Sequence, residues 1–318
     1  MGTEQKILLT GATGFIGKHL RALLTVNGFE VHATYREDRD HRDNFGHWHG
    51  CDLASPSDLS KIFTNLKPDF VLHMASHTRP GRDINDFERQ WKDTISTTIN
   101  VARHLPQSVK LSLFFGSFDE YGNARPPFLE DQAKDCLSVY GWGKIAAFQA
   151  ATWIARERDL PICWIRPSLA FGPLQGADRM IPSVIRSCLM NQSIPLTEGA
   201  QTRDFIYVKD ICSRILRILR NPDRASGQTL NLCSGIPRTV KSVALAIQRL
   251  AGGGELLFGA LPYRSREAMD FYGSEVKYNS LFGKTELMPF EYALEETVES
   301  YRKELQSKDG LAPSERKE

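Results

Sequence analysis

The sequence predicts an α/β chain: a doubly wound parallel sheet followed by a smaller C-terminal α+β region. Three observations carry this. Short apolar runs alternate with helical patterns through the first half, the order expected of strand–helix units around a parallel sheet. Several runs, among them Leu8-Leu9, Val71-Leu72 and Leu113-Phe114-Phe115, are apolar on successive residues, as strands covered on both faces must be. After Arg166-Pro167 the texture changes to proline and glycine punctuation, with Gly172, Pro173, Gly176, Pro182, Pro195 and Gly199, which breaks the chain into short elements.

In chain order, strands are expected at 6–10, 30–35, 69–74, 110–116 and 161–166, with a weak one at 47–50. Helical patterns fill 15–27, 57–66, 83–105 and 139–158. Residues 204–221 read as one more strand and helix returning to the first domain. Residues 288–305 suit a final helix. The segment 307–318 is charged, contains proline and glycine, and reads as a frayed tail.

The 318 residues are 41% hydrophobic and 25% charged, which suits a soluble globular chain of about two structural units. Forty Lys and Arg against 38 Asp and Glu leave a net charge of +2. That provides no basic field for nucleic acid or an acidic membrane. No apolar run approaches the ~18 residues of a membrane span, and residues 1–10 lead into a strand without a signal-peptide pattern. The six cysteines stand apart, without a CxxC, so they read as reduced thiols in a cytoplasmic protein. His41, His47 and His49 gather near Trp48, but their spacing matches no ligand set, and no metal is expected.

Thr10-Gly11-Ala12-Thr13-Gly14-Phe15-Ile16-Gly17 follows the first strand and opens the first helix. Gly11 allows a tight turn, Gly14 lets the backbone approach a pyrophosphate, and Gly17 permits close packing of helix on strand. The helix N-terminus supplies the anion site. The first region, 1–167, is therefore expected to be a Rossmann-like dinucleotide-binding domain, with 168–306 mostly a substrate-binding region over the sheet's carboxyl edge.

An NAD site usually places an acid at the end of the second strand, where it meets the ribose 2′-OH. Here the strand ends Ala33-Thr34-Tyr35-Arg36. Arg36 either clamps a 2′-phosphate, favouring NADP over NAD, or is a solvated surface arginine. Asp52-Leu53 is placed to reach the adenine edge, or Asp52 caps the next helix.

Tyr140 and Lys144 stand four apart on an expected helix and share a face. A lysine there lowers the phenol's pKa, and a phenol so tuned exchanges a proton with a sugar or alcohol oxygen while hydride moves at the adjacent carbon. Ser117, 23 residues upstream at the end of a strand, can polarise the same oxygen.

These motifs, with Tyr121-Gly122, Arg166-Pro167 and Arg203-Asp204-Phe205, occur in the order of extended short-chain dehydrogenases/reductases, and the chain resembles that family over about residues 6–305. The family comprises nucleotide-sugar epimerases, dehydratases and reductases. The resemblance implies a Ser117, Tyr140 and Lys144 triad, with Met74 and Ala75 lining the cofactor. It implies Arg203 on the nucleotide diphosphate and Arg264 with Glu267 on phosphate and ribose, the guanidinium fork suiting a pyrophosphate. It also implies a homodimer through the 83–105 and 139–158 helices. Where the family often has an asparagine after Arg-Pro, this chain has Ser168.

A 4,6-dehydratase commonly carries an Asp-Glu pair directly after the Ser or Thr. Here Phe118 takes the first place and Asp119 the second, so Phe118 and Asp119 are expected beside the sugar without the full acid–base pair. The run Gly116 to Gly122 is similar to a segment of reductases acting on 4-keto-6-deoxy nucleotide sugars. The leading expectation is NADPH-dependent reduction of such a sugar with Tyr140 as acid/base. The alternatives are a 4-epimerase with retained NAD, then a 4,6-dehydratase, and outside catalysis a cofactor-binding sensor.

Overall fold

The computed structural model describes residues 4–36, 45–78 and 84–309. The expected residues His41 and Asp83, and the tail beyond 309, lie outside these. In chain order the first half runs β1 (Gln5–Thr10), α1 (Phe15–Val26), β2 (Phe29–Tyr35), β3 (His47–Gly50), α2 (Pro56–Leu66), β4 (Phe70–His73), α3 (Phe87–Gln90), a π-helical segment Trp91–Ser96, α4 (Thr97–His104), β5 (Leu111–Phe115), α5 (Val139–Arg158) and β6 (Ile162–Pro167). The second half runs β7 (Leu169–Phe171), α6 (Met180–Leu189), β8 (Ser193–Pro195), β9 (Thr202–Tyr207), α7 (Val208–Leu219), α8 (Pro222–Ala225), β10 (Thr229–Leu232), β11 (Pro237–Thr239), α9 (Val240–Ala251), β12 (Glu255–Leu257), β13 (Asp270–Phe271), α10 (Val276–Phe282) and α11 (Phe290–Asp309).

Seven parallel strands form the main sheet in the order β10-β6-β5-β4-β1-β2-β3. The order reverses between β1 and β4, so the carboxyl ends of those two strands flank a crevice. The doubly apolar strands bury one side chain on each face. Leu9 and Leu72 join the cluster beneath α1 and α7, while Leu8 and Val71 join the one beneath α2, α4 and α5. The helix expected over 83–105 is broken by the π segment. Outward from it and from α5, Trp91 and Trp153 remain exposed.

The second region is a small sheet, β11-β9-β13 with β7 also on β9, beside the two-stranded β8–β12 pair. The returning segment differs from its expected form. β9 stays in the small sheet, α7 packs on α1, and the strand that rejoins the main sheet is β10, beside β6. No periodicity marked β10, because its four residues Thr-Leu-Asn-Leu alternate too briefly to be told from loop.

Candidate active site

β1 delivers the chain into a turn that has no room for a side chain at Gly11 or Gly17. Gly11 has φ +70°, and a Cβ there would lie 2.7 Å from the Ala75 nitrogen. A Cβ on Gly17 would lie 2.4 Å from the Gly11 carbonyl oxygen. Gly14 is the N-cap of α1, where no side chain caps the helix and no acid occupies its first turn. Thr13 and Gly14 are exposed, with Phe15 and Ile16 half-buried behind them. The uncapped N-terminus of α1, reached through a turn in which a Cβ at position 11 or 17 would clash, fits the diphosphate of a dinucleotide.

The exit of β4 is tied to this turn. Met74 N–H donates to the Thr10 carbonyl and Ala75 N–H to Thr10 Oγ1, each at 3.3 Å. His73 is buried, its Nδ1 at 2.8 Å from Thr10 Oγ1 and its Nε2 at 3.2 Å from Thr98 Oγ1. Burial, aided by the Lys144 charge, pulls its pKa down to about 3, so the ring is neutral.

At the end of β2, Arg36 turns outward and pairs with Asp93 at 3.2 Å, with 60% of its side chain exposed. Asp52 Oδ1 accepts the Ala54 N–H at 3.0 Å, closing the turn that leads to Ser55, the cap of α2. Leu53 is buried, and its carbonyl accepts the Asn100 amide at 3.1 Å. His47 and His49 pack about His32 across the strand pairing, with the His32 and His47 rings stacked at 5.0 Å.

Across the crevice, Ser138 Oγ caps α5 by accepting the Gly141 N–H at 2.9 Å, and the first turns carry Tyr140 and Lys144. The Lys144 Nζ lies 5.9 Å from the Tyr140 ring centre. It donates to the Phe115 carbonyl at 2.6 Å and to Ser76 Oγ at 3.0 Å. Burial pulls this ammonium down to about 8, against the Glu120 charge. The Tyr140 phenol is held above its ordinary range by burial and by Asp119, with a side-chain hydrogen bond to Ser117 and the Arg179 charge opposing. The expected lowering by Lys144 is not met, because the ammonium is turned to Phe115 and Ser76 while burial and Asp119 dominate the phenol.

Ser117 lies just past β5 and caps a short turn, Phe118–Glu120, accepting the Asp119 N–H at 3.2 Å and donating to Asp119 Oδ2 at 3.1 Å. Burial holds the Asp119 carboxyl above the usual range, with Ser117, Arg179 and Arg203 pulling it back. Its two neighbours face elsewhere. Phe118 is 1% exposed and packs among Tyr121, Phe128 and Phe271, so the structure sets it in the core rather than the cleft. Glu120 is fully buried, its Oε2 taking Arg166 Nε at 2.6 Å and its Oε1 taking Trp164 Nε1 at 3.0 Å and the Ser117 N–H at 2.9 Å.

From the second region, Arg203 pairs with Glu267 and donates to the carbonyls of Thr202 at 2.7 Å and Ala268 at 2.9 Å. Glu267 is thereby committed to a protein partner, while Arg264 is exposed nearby. Asp204 is fully buried and accepts from Ser168 Oγ, Ser234 N–H and Oγ, and Gly235 N–H, at 2.8 to 3.1 Å. Ser168, standing where the family often has asparagine, thus ties β6–β7 to β9. Sequence reasoning missed Arg179, the N-cap of α6, which donates to the Thr78 carbonyl at 2.7 Å and faces both Asp119 and Tyr140. Nothing set it apart from the chain's other arginines except its place just before an apolar helix.

A crevice at the strand-order reversal, a glycine-built phosphate turn, and a serine, tyrosine and lysine facing it define a dinucleotide-dependent oxidoreductase of the short-chain type. The chain belongs to the NAD dependent epimerase/dehydratase family, whose model matches residues 7–233, and it is an enzyme of that NAD(P)-dependent nucleotide-sugar superfamily. It is 25% identical to the UDP-glucose 4-epimerase of Pisum sativum, over 89% of this chain and 91% of that protein. Its fold matches the UDP-glucose 4-epimerase of Thermotoga maritima, solved with UDP-glucose, with a TM-score of 0.88 at 21% identity over 95% of this chain and all of that one. It matches MoeE5, solved with UDP-glucuronic acid and NAD, with a TM-score of 0.85 at 26% identity over 94% and 99% of the two chains.

The last comparison corrects the cofactor. NADP was expected over NAD on the strength of Arg36, but the solved relative holds NAD, and Arg36 is engaged by Asp93.

Proposed function

We propose that the protein is a nucleotide-sugar 4-epimerase that retains NAD, and that the reductase expectation gives way to this alternative. The observation that carries it is the engagement of Arg36 by Asp93, which among the described residues leaves the end of the second strand without a free arginine for a 2′-phosphate, the mark of an enzyme that consumes NADPH. The similarity to UDP-glucose 4-epimerases supports the same reading. Dehydration is disfavoured because Glu120 is locked onto Arg166 in the core, leaving Asp119, among the described residues, as the carboxylate that takes the Ser117 hydroxyl.

The cradle at Gly11 to Gly17 would hold the diphosphate of NAD, with Met74 and Ala75 along one side and Lys144 at the nicotinamide ribose. When bound, NAD supplies a two-electron oxidant and a positive charge beside the phenol. Tyr140 would take the proton of the sugar 4-hydroxyl as hydride leaves C4, and would give it back to the same oxygen as hydride returns to the opposite face of the turned keto sugar. Ser117 orients the oxygen. Burial and Asp119 hold the phenol above its ordinary range, and a positive charge beside it would bring it toward the range of a base. Arg264 and Arg179 would meet the substrate's diphosphate, beside Arg203, which Glu267 holds.

The test is to denature the purified protein, identify what it releases, and assay UDP-glucose against UDP-galactose. Released NAD with interconversion supports the reading. Tyr140→Phe should then cut kcat by about 10²- to 10⁴-fold while NAD is still released. An empty site with NADPH oxidised by a 4-keto sugar nucleotide would restore the reductase.

A further inference from the structure

Between α5 and the exit of β4 lies a seam of buried polar groups that none of the roles above uses. Gln90 is 0% and Thr94 1% exposed. They sit where α3 passes into the π-helical turn Trp91–Ser96, and such widened turns are frequent at functional sites. Thr94 Oγ1 accepts the His77 N–H at 3.2 Å and donates to Gln90 Oε1 at 2.9 Å. Gln90 Nε2 donates to the His77 carbonyl at 3.1 Å. Two side chains thus satisfy both backbone groups of His77, as a neighbouring strand would at a point where the sheet has ended.

The neighbours of His77 are what give this ring of hydrogen bonds a consequence. Ser76 Oγ accepts from Lys144 Nζ at 3.0 Å, and the Thr78 carbonyl accepts from Arg179 at 2.7 Å. The fit to α5 is equally close. A Cβ on Gly143, the residue before Lys144, would come within 2.9 Å of Gln90 Oε1, so glycine at 143 is what admits Gln90.

We propose that Gln90 and Thr94 are positioning residues that fix the 76–78 peptide and, through it, set Lys144 and Arg179 at the cleft. The catalytic consequence rests on the reading of Lys144 above, but the placement of the ammonium does not. Loosening the peptide admits water to Nζ, which relieves the desolvation that holds this amine down.

The experiment compares Thr94→Val, which keeps the shape without the hydroxyl, with Thr94→Ser, which keeps the hydroxyl, and with Gln90→Leu. Trace acetic anhydride labelling of Lys144, read by peptide mass spectrometry across pH on protein stripped of cofactor, gives the midpoint of the amine. Thr94→Val and Gln90→Leu should raise that midpoint by about one pH unit and lower kcat about tenfold, while Thr94→Ser matches wild type. An unchanged midpoint in folded Thr94→Val overturns the proposal, and the Val/Ser pair decides alone should Gln90→Leu fail to fold. Shifted midpoints in a protein that turns over no nucleotide sugar would sink the epimerase reading and leave the positioning role standing.

Discussion

The two walls of the crevice are built from different materials. On the β1–α1 side the surface is largely backbone: glycine at 11, 14 and 17 keeps those positions of the turn bare, and α1 begins uncapped. On the β5–β6 side the surface is held by buried and half-buried charges and hydroxyls: Glu120 on Arg166, Asp204 on Ser168 and Ser234, and Arg203 on Glu267. A backbone surface suits a ligand part common to many enzymes, because peptide N–H groups recognise a diphosphate whatever else is attached. A side-chain surface suits the part that varies, because one substitution alters shape, charge and reach together.

The difference can be broken most severely at Glu120. Glu120→Ala strands the Arg166 guanidinium in a site where it is 1% exposed, and should lower stability by about 3–5 kcal/mol in urea unfolding. A loss below ~1 kcal/mol would mean the charges are not what holds that wall.

Acid tests the other wall next. His73 has a folded pKa depressed to about 3 against an ordinary 6.5. The unfolded chain therefore binds the extra proton first, and the group's contribution is complete above pH 6.5 and lost as pH falls toward 3. Urea unfolding at pH 7 and at pH 4.5 should differ by roughly 2–3 kcal/mol from this group, and His73→Gln should flatten the difference.

The mildest break is Gly17→Ala, whose methyl meets the Gly11 carbonyl. About 1–2 kcal/mol of stability should go, with a disproportionate loss of NAD affinity by calorimetry, because the displaced backbone is itself the binding surface. Equal NAD affinity in the folded variant would show that the turn's shape is not what is recognised.

The contrast also decides what could be read in advance. The glycine turn announced itself because only glycine satisfies its sterics, and the strands β1, β4 and β5 because burial on both faces forces continuous apolar runs. Tyr140 and Lys144 were visible through their helical spacing. Phe118 and Asp119 were not separable by any local rule, yet the short turn after Ser117 sends one into an aromatic core and leaves the other beside the serine. Arg36 was chemically suited to a phosphate, and only its three-dimensional neighbour Asp93 removed it. Gln90, Thr94 and Arg179 act through residues distant along the chain, 77 and 78 among them, and no periodicity reports such pairings.

The strand β10 reaches the main sheet only after the chain has passed through β7, β8 and β9, and it covers the outer edge of β6. A fragment cut after residue 167 would keep the glycine turn and every residue of the triad, yet it would leave β6 with a bare row of unpaired amides and carbonyls. Such an edge invites other chains to add to it. Recombinant halves should therefore precipitate rather than bind, and graftable modules of this enzyme need to be drawn through space, not at a point along the sequence.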